Sequence, residues 1–136
     1  MIHKFILAIM TVVLISAFQL QRPQQKGEWV APKTADLIKN PLKRNINATA
    51  EGKKLYMRFC KTCHGTKGKG DGIAGVNLKP RPKDFTLQKV QQQSDGAIFW
   101  KITTGRTPMA GYEKILKKEQ RWQLVNYIRE LGKTTK

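Results

Sequence analysis

The sequence predicts an all-α fold, and three observations predict it. Two segments, residues 49–59 and 119–131, space their apolar side chains three and four residues apart, which is the period of a helix that buries one face. No alternation of apolar and polar residues stands out, as it would in a half-buried strand. The stretch 65–85 is rich in glycine, proline and lysine, which indicates a loop. With 136 residues, the chain has room for one domain and its extensions.

Residues 1–20 are unlike the rest of the chain. Phe5 to Phe18 form a run of fourteen uncharged residues after Lys4, and polar residues follow. Because the run is shorter than the ~20 residues of a spanning helix, we predict a secretory signal peptide. No clean A-x-A cleavage site follows, so an N-terminal membrane anchor is the alternative. Under either interpretation the remaining chain is exported.

Residues 21–46 show neither helical nor strand periodicity. Trp29 precedes Val30-Ala31-Pro32, and Asn40-Pro41 lies further on, so residues before proline favour extended backbone here. We predict an extended arm or linker with at most one helical turn. Two roles fit such an arm: a spacer, or a strap that docks on a larger complex.

An amphipathic helix is predicted to begin the domain, which spans residues 47–136. Four of its residues share one face, at positions i, i+3, i+4 and i+7: Gly52, Leu55, Tyr56 and Phe59. The segment Asn47-Ala48-Thr49 offers an N-terminal cap. The helix then runs directly into a pair of cysteines.

The only two cysteines of the chain, Cys60 and Cys63, are followed directly by His64. Three kinds of site contain such residues. A structural zinc site needs four ligands, and beyond the leader there is no third cysteine or second histidine. A thioredoxin-like thiol pair belongs in a βαβ pattern, which the sequence lacks. The third kind is covalent c-type haem, with both thiols bonded to the porphyrin and the histidine bound to iron.

Haem suits the spacing, because positions i, i+3 and i+4 of a helical turn share a face and can all address one flat molecule. The sixth position of the iron is then either open or filled by a methionine. Beyond the leader, which contains His3, the only methionines are Met57 and Met109. Met57 lies one turn before Cys60 and fits a packing role better. Met109 lies in the loop-like stretch T-G-R-T-P-M-A-G-Y, and we predict it as the ligand.

Two further helices complete the predicted fold. Ser94-Asp95-Gly96 precedes an apolar group at 97–102, and Gly105 is expected to end this short helix, which points the chain toward Met109. The last helix is predicted from Glu119 to Leu131, with Gly132 as its stop.

Together these motifs resemble the class I cytochrome c family, in its small bacterial type with a single haem, over about residues 47–132. The pattern G-x-x-x-Y-x-x-x-C-x-x-C-H runs from Gly52 to His64, and L-x-x-Y lies at Leu124 and Tyr127. The segment G-K-G-D-G followed by L-K-P-R-P-K-D-F resembles the loop that follows the haem motif in this family.

The resemblance implies three to five helices around one covalently bound haem c, with iron held by His64 and Met109. It also implies that Gly52 lets the last helix cross closely. A proline carbonyl, at Pro80 or alternatively Pro82, should accept a hydrogen bond from the outer nitrogen of the ligand histidine. One departure is Ala110, which follows the methionine where many relatives have proline.

The function that the resemblance implies is one-electron transfer, as a carrier or a subunit in a bacterial respiratory chain, rather than an enzyme activity. The alternative is a haem enzyme or gas sensor with an open sixth position. The W-x-x-P and N-P segments of the arm resemble leaders of cytochrome subunits in respiratory assemblies such as alternative complex III. The expected location is the periplasm or the periplasmic face of the inner membrane.

The charge of the chain indicates what kind of partner it could bind. The chain carries 26 lysines and arginines against 9 acidic residues, a net charge of +17. Eight basic residues fall in segments expected near the haem: Lys67, Lys69, Lys79, Arg81, Lys83, Lys101, Arg106 and Lys114. We predict that they dock on an acidic face of a redox protein; attraction of a basic surface to anionic lipid is an equal alternative. An exported chain makes nucleic acid a poor partner.

Overall fold

The structure is a computed structural model that describes residues 27–133. The chain divides after Val30 into two units, and the fold below is that of the second. This unit contains a 3-10 helix and five α-helices: the 3-10 helix Lys33–Leu37, α1 Ile46–Phe59, α2 Lys61–His64, α3 Gln88–Gln91, α4 Asp95–Thr104 and α5 Lys118–Leu131. Over residues 27–133 the only β-type pairing is an isolated bridge between Arg106 and Met109. The predicted all-α fold is therefore confirmed.

Between residues 27 and 133 no helix combines the length and apolar character that crossing a membrane requires. The predicted signal peptide or anchor at residues 1–20 lies outside the described residues, as do the first residues of the predicted arm.

Helix α1 begins earlier than its predicted cap. Its N-cap is Asn45, whose side chain accepts a hydrogen bond from the Ala48 N–H at 2.9 Å. The prediction of a cap at 47–49 was wrong, because Asn45 already satisfies the N–H groups of Ala48, through its side chain, and of Thr49, through its carbonyl at 3.0 Å. Ala48 is followed at four-residue spacing by Gly52 and Tyr56. All three are buried on one stripe of the helix.

The two long helices, α1 and α5, pack closely at Gly52. A Cβ atom there would lie 1.9 Å from the Gln123 backbone oxygen and 3.2 Å from the Tyr127 Cβ. Only glycine permits this approach, which agrees with the role that the resemblance implied for Gly52. The crossing fixes α5 against the helix that leads to the cysteines.

The core lies between α1, α4 and α5. Its largest fully buried side chains are Trp122, Tyr56, Leu124 and Val125. The Trp122 ring stacks on Phe99 of α4 with centroids 3.9 Å apart, so α4 is held against α5 by an aromatic pair.

The predicted ends of α4 and α5 are confirmed to within one residue. Ser94 caps α4 by accepting a hydrogen bond from the Ala97 N–H at 3.0 Å. Helix α4 ends at Gly105, whose φ of 65° lies in the left-handed region that glycine favours. Helix α5 ends before Gly132.

Part of the predicted arm packs on the helices. The Asn40 side chain donates hydrogen bonds to Asp95 of α4 and Asn126 of α5, both at 2.9 Å. The Asn126 side chain in turn donates to the Leu42 carbonyl at 2.6 Å. From Ala31 onward the arm therefore belongs to the same compact unit as the helices.

Candidate functional site

The cysteine pair lies where α1 passes into α2. Cys60 is the C-cap residue of α1. Its φ and ψ angles remain in the right-handed helical region, and its N–H donates a hydrogen bond to the Tyr56 carbonyl at 2.9 Å. The Cys60 carbonyl then accepts from the N–H groups of Cys63, at 3.2 Å, and His64, at 2.9 Å. Both thiols are free and partly buried. The three predicted residues thus occupy one continuous helical turn, as the spacing predicts.

Burial favours the neutral form of the Cys60 thiol. The pKa of Cys60 is raised to about 12, first by burial and second by the neighbouring Cys63. A thiol with such a pKa stays protonated at neutral pH, whereas an active redox pair needs a low pKa. The environment does not favour a thioredoxin-like role. Among residues 27–133 no three or more histidine, cysteine or acidic side chains cluster as a metal site would require.

The His64 ring is buried and oriented by two contacts. It stacks on Phe85, with centroids 4.3 Å apart and planes 17° from parallel. Its Nδ1 lies 3.4 Å from the Lys83 carbonyl oxygen, so a proton on Nδ1 leaves Nε2 free as a ligand. The carbonyl that the structure brings to Nδ1 is therefore that of Lys83, in the same loop as the predicted Pro80 and the alternative Pro82. The structure thus brings a carbonyl of the predicted loop to the histidine, but the residue is Lys83 and not Pro80 or Pro82.

The protonation state of His64 also suits a ligand. Burial lowers the pKa of the imidazole, and the hydrogen bond to the Lys83 carbonyl only partly opposes this. A neutral imidazole is the form that binds a metal ion.

The loop after His64 folds back on the cysteine turn. Three of its N–H groups donate to carbonyls of that turn: Gly70 to His64 at 2.9 Å, Gly72 to Cys63 at 3.2 Å and Ala74 to Thr62 at 2.9 Å. At Gly75 a Cβ atom would lie 2.0 Å from the Cys63 carbonyl oxygen, so the two backbones touch. The glycines of the predicted loop serve this close packing.

A buried tyrosine closes the same turn. The Tyr56 hydroxyl donates to the Gly65 carbonyl at 2.6 Å, and the side chain is fully buried. Its ring lies 5.1 Å from that of Tyr127 on α5. Tyr56, the tyrosine of the G-x-x-x-Y motif on α1, thus contacts α5 and bonds to the carbonyl directly after His64.

Met109 lies in a tight turn after α4 and is partly buried. Two backbone hydrogen bonds close this turn, Arg106 N–H to Met109 at 3.0 Å and Met109 N–H to Arg106 at 2.8 Å. Met57, the other candidate ligand, packs against the hydrophobic core, in keeping with its predicted packing role.

Tyr112 links the methionine loop to the cysteine helix, a role that the sequence did not reveal. Its hydroxyl donates to the Phe59 carbonyl at 3.0 Å, directly before Cys60, and its ring meets the Phe59 ring edge-on at 6.1 Å. Its N–H donates to the Ile102 carbonyl at 2.9 Å. The only signal in the sequence is an aromatic residue three places after the predicted ligand.

The basic residues predicted near the site are mostly exposed. Six of the eight are exposed, and Lys101 and Arg106 are partly buried: the exposed ones are Lys67, Lys69, Lys79, Arg81, Lys83 and Lys114. The backbone carbonyl of Lys83 lies beside the His64 ring. Lys67 and Lys69 follow His64 in the loop that folds back on the cysteine turn. Basic residues therefore lie in the loop that packs around His64.

The donor set fits a covalently attached haem. Two thiols share a helical turn with a buried, neutral imidazole, and a thioether lies in a loop tied to the same helix. The side chains around the turn, Tyr56, Phe59, Phe85 and Tyr112, are apolar or aromatic, as the surroundings of a porphyrin require.

Comparisons with known proteins agree with this chemistry. The sequence profile of the cytochrome c family matches residues 49–132. No functionally curated protein matches the chain in sequence. Among solved structures, a chain of the reducing HAO-like protein complex Kustc0457/Kustc0458 of Kuenenia stuttgartiensis is 28% identical, with a TM-score of 0.61. The match covers 85% of this chain and 53% of that one, so this chain spans about half the length of that relative.

A second solved structure is shorter. The KustC0563 c-type cytochrome is 30% identical with a TM-score of 0.51, and the match covers 59% of this chain and 95% of that protein. Nearly all of a small c-type cytochrome is therefore matched by part of this chain.

Proposed function

The chain belongs to the cytochrome c family, and on that premise we propose that it transfers single electrons through an iron bound by His64 and Met109. Membership implies haem-based electron transfer, and the Cys60 and Cys63 pair is the attachment motif of one covalent haem c. The proposal adds the two axial ligands, and with them a closed iron site that carries electrons and does not transform a substrate.

The observation that carries the proposal is the buried turn from Cys60 to His64. It brings two thiols to one helical turn and holds a neutral imidazole whose Nδ1 faces a carbonyl oxygen. The bound haem supplies a one-electron couple between ferric and ferrous iron. The Lys83 carbonyl orients the imidazole and makes Nε2 a stronger donor, while Phe85 shields the ring from water.

Met109 is proposed as the second axial ligand for two reasons. Its turn is closed by its own backbone, and Tyr112 ties the loop to the end of α1 next to Cys60. A thioether ligand favours the ferrous state and raises the reduction potential. His64 and Met109 together would hold the iron on both sides, and a haem held in this way would supply a one-electron couple without an open position for a substrate.

The proposed ligation is tested on the ferric holoprotein by its sulfur-to-iron absorption band near the red edge of the visible spectrum. We expect Met109→Ala to abolish this band and to open the iron to carbon monoxide, whereas Met57→Ala, the matched methionine control, keeps both properties. Absence of the band in the unaltered protein, together with rapid binding of carbon monoxide, would instead support the haem enzyme or gas sensor.

The proposed setting is the periplasmic side of a bacterial respiratory chain, as a carrier or a complex subunit with an acidic partner. Two observations support it: bacterial c-type cytochromes are typically exported, and one structural relative is part of a protein complex. The proposed organisation is a leader at residues 1–20, an arm at 21–46 and a haem domain at 47–136. One intact mass of the exported protein tests leader removal and covalent haem together.

A further inference from the structure

The arm carries an exposed surface in which apolar and basic side chains are mixed. Its apolar members Leu37, Ile38 and Ile46 are 75%, 39% and 82% exposed. Its basic members, Lys33, Lys39, Lys43 and Arg44, are all exposed. We call the three apolar and four basic residues together the arm surface. Single exposed apolar residues are ordinary, but three within ten residues of sequence, among four positive charges, are a candidate binding surface.

The arm surface lies at the opposite end of the domain from the predicted iron ligands. Helix α1 starts at Ile46 and ends beside Cys60, and its 14 residues span about 20 Å. Helix α4 repeats this arrangement: its Gly96 abuts the Ala35 carbonyl of the arm, while its other end leads to Met109. Contact through the arm surface would leave the ligand side free.

The surface is held in place by the hydrogen bonds of Asn40 and Asn126. Asn40 lies between Ile38 and Ile46 and bonds to both Asp95 and Asn126, and Asn126 bonds to the Leu42 carbonyl. The arm is therefore a fixed part of the domain. Its apolar side chains remain exposed to water, which is unfavourable, so burying them against a partner would stabilise the complex. Such a preformed surface binds without first being ordered.

Charge selects the occupant. Between residues 31 and 46 there are four basic residues and one acidic residue, Asp36, whose carboxylate already accepts a hydrogen bond from Ser94. Clustered lysine and arginine attract anionic headgroups, and neighbouring leucine and isoleucine side chains enter the boundary between headgroups and acyl chains.

We propose that the arm surface lies on a membrane that contains anionic lipid, and that it orients the domain with the iron ligands away from the bilayer. An uncleaved anchor formed by the apolar run Phe5 to Phe18 would be separated from Ala31 by only residues 19–30, which favours lipid over an acidic protein as the occupant. Such an anchor would keep the arm close to the bilayer. The ligand side then remains open for a redox partner.

The test is a lysine-labelling experiment on the exported holoprotein, with or without its leader. The protein is mixed with vesicles of phosphatidylcholine alone, or of phosphatidylcholine and phosphatidylglycerol in equal parts. An amine-reactive reagent is added, and the modified lysines are located by mass spectrometry. We expect phosphatidylglycerol to slow the labelling of Lys33, Lys39 and Lys43 several-fold and to leave Lys67, Lys69 and Lys79 unchanged.

Variants separate the surface from net charge. Because each basic residue near an anionic membrane contributes about tenfold at most to binding, Lys33→Gln, Lys39→Gln and Lys43→Gln together should weaken partitioning into the mixed vesicles roughly 100-fold. The control combines Lys67→Gln, Lys69→Gln and Lys79→Gln, which removes the same charge and should change it by only a few-fold. Leu37→Ser with Ile46→Ser should weaken partitioning, and Ile73→Ser with Val76→Ser, an exposed apolar pair in the loop after His64, should not.

Three results would overturn the proposal. Equal losses in the arm variants and their controls would make binding a property of net charge. Equal protection of all six lysines would mean that the domain has no fixed orientation. Protection of the arm lysines by an acidic protein face, with none by the mixed vesicles, would assign the surface to a protein partner.

Discussion

The two regions that supply the proposed axial ligands are held in different ways. His64 lies buried in a helical turn, its ring stacked on Phe85, and the following loop returns to bond the backbone around it. Met109 lies partly buried in a turn closed by two backbone hydrogen bonds with Arg106, and Tyr112 links the following residues to α1. The histidine side is therefore fixed by several independent sets of contacts, and the methionine side by few. The thioether should be the ligand that is lost first.

The largest effect should come from breaking the helix crossing that supports the histidine side. Gly52→Ala places a Cβ atom 1.9 Å from the Gln123 backbone oxygen, so α1 and α5 must separate. We expect a loss of about 3 kcal/mol in the free energy of unfolding, measured by urea denaturation of the holoprotein.

Gly132→Ala is the control for this crossing, and we expect it to cost less. Its Cβ atom would first meet the Gln91 side chain, so the hydrogen bonds of that side chain, among them those to the Phe85 and Ile128 carbonyls, are at risk, and its φ of −72° suits alanine. An equal loss in both variants would contradict the claim that the crossing at residue 52 is special.

A smaller effect should come from the hydroxyl that closes the histidine turn. Tyr56→Phe leaves the buried Gly65 carbonyl without its partner at 2.6 Å, so we expect a loss of about 1–2 kcal/mol in the free energy of unfolding. The sulfur-to-iron band should persist at neutral pH, since the methionine side is untouched. Loss of that band with unchanged stability would reverse the comparison between the two regions.

The same chemical change at Tyr112 should act on the other ligand. Tyr112→Phe removes the hydrogen bond to the Phe59 carbonyl, and we expect a loss of about 1 kcal/mol or less in overall stability. Carbon monoxide, which competes with the thioether for the iron, should then bind faster than it does to the unaltered protein. If Tyr56→Phe raised the rate of carbon monoxide binding as far, the two ligand regions would not be independent.

The smallest effect concerns Tyr127, which packs on Tyr56. Its pKa is raised by burial first and by Glu130 second. Because the folded pKa lies above the unfolded value of about 10, this group stabilises the fold below pH ~10 and the contribution is lost as the pH rises through the folded pKa. Tyr127→Phe should therefore make the decline in unfolding free energy above that pH shallower, as followed by circular dichroism in urea. An identical decline in both proteins would contradict the raised pKa.

The sequence predicted elements whose signals are local. Ser94 and Gly105 bound α4 as predicted, because a side-chain cap and a left-handed turn depend on the residue itself. Helix α5 also ends before Gly132 as predicted, although that glycine keeps right-handed angles. The cysteine turn was predictable for the same reason, since its spacing fixes which side chains share a face. The start of α1 was not, because Asn45 and the segment at 47–49 both offer cap residues, and sequence alone does not show which side chain accepts the first N–H.

Other features depend on contacts between distant residues. Asn40 and Asn126 are 86 residues apart, so no local pattern predicts that the arm packs on α5. The acceptor near His64 is a backbone carbonyl, which every loop residue carries, and so the sequence could not distinguish Lys83 from Pro80. Tyr112 was missed likewise, because its partner at Phe59 lies 53 residues away.

The bonds of Asn126 also determine how mechanical tension would enter the domain. A pull on the chain before Ala31 would travel along the arm and meet the side chains of Asn40 and Asn126 before it reached α1. Helix α5 would take up this load through its middle, and the turn that carries the two cysteines would be spared. Tension on the arm would therefore be borne by side-chain hydrogen bonds at one end of the domain, and the surroundings of Cys60 and Cys63 would keep their shape.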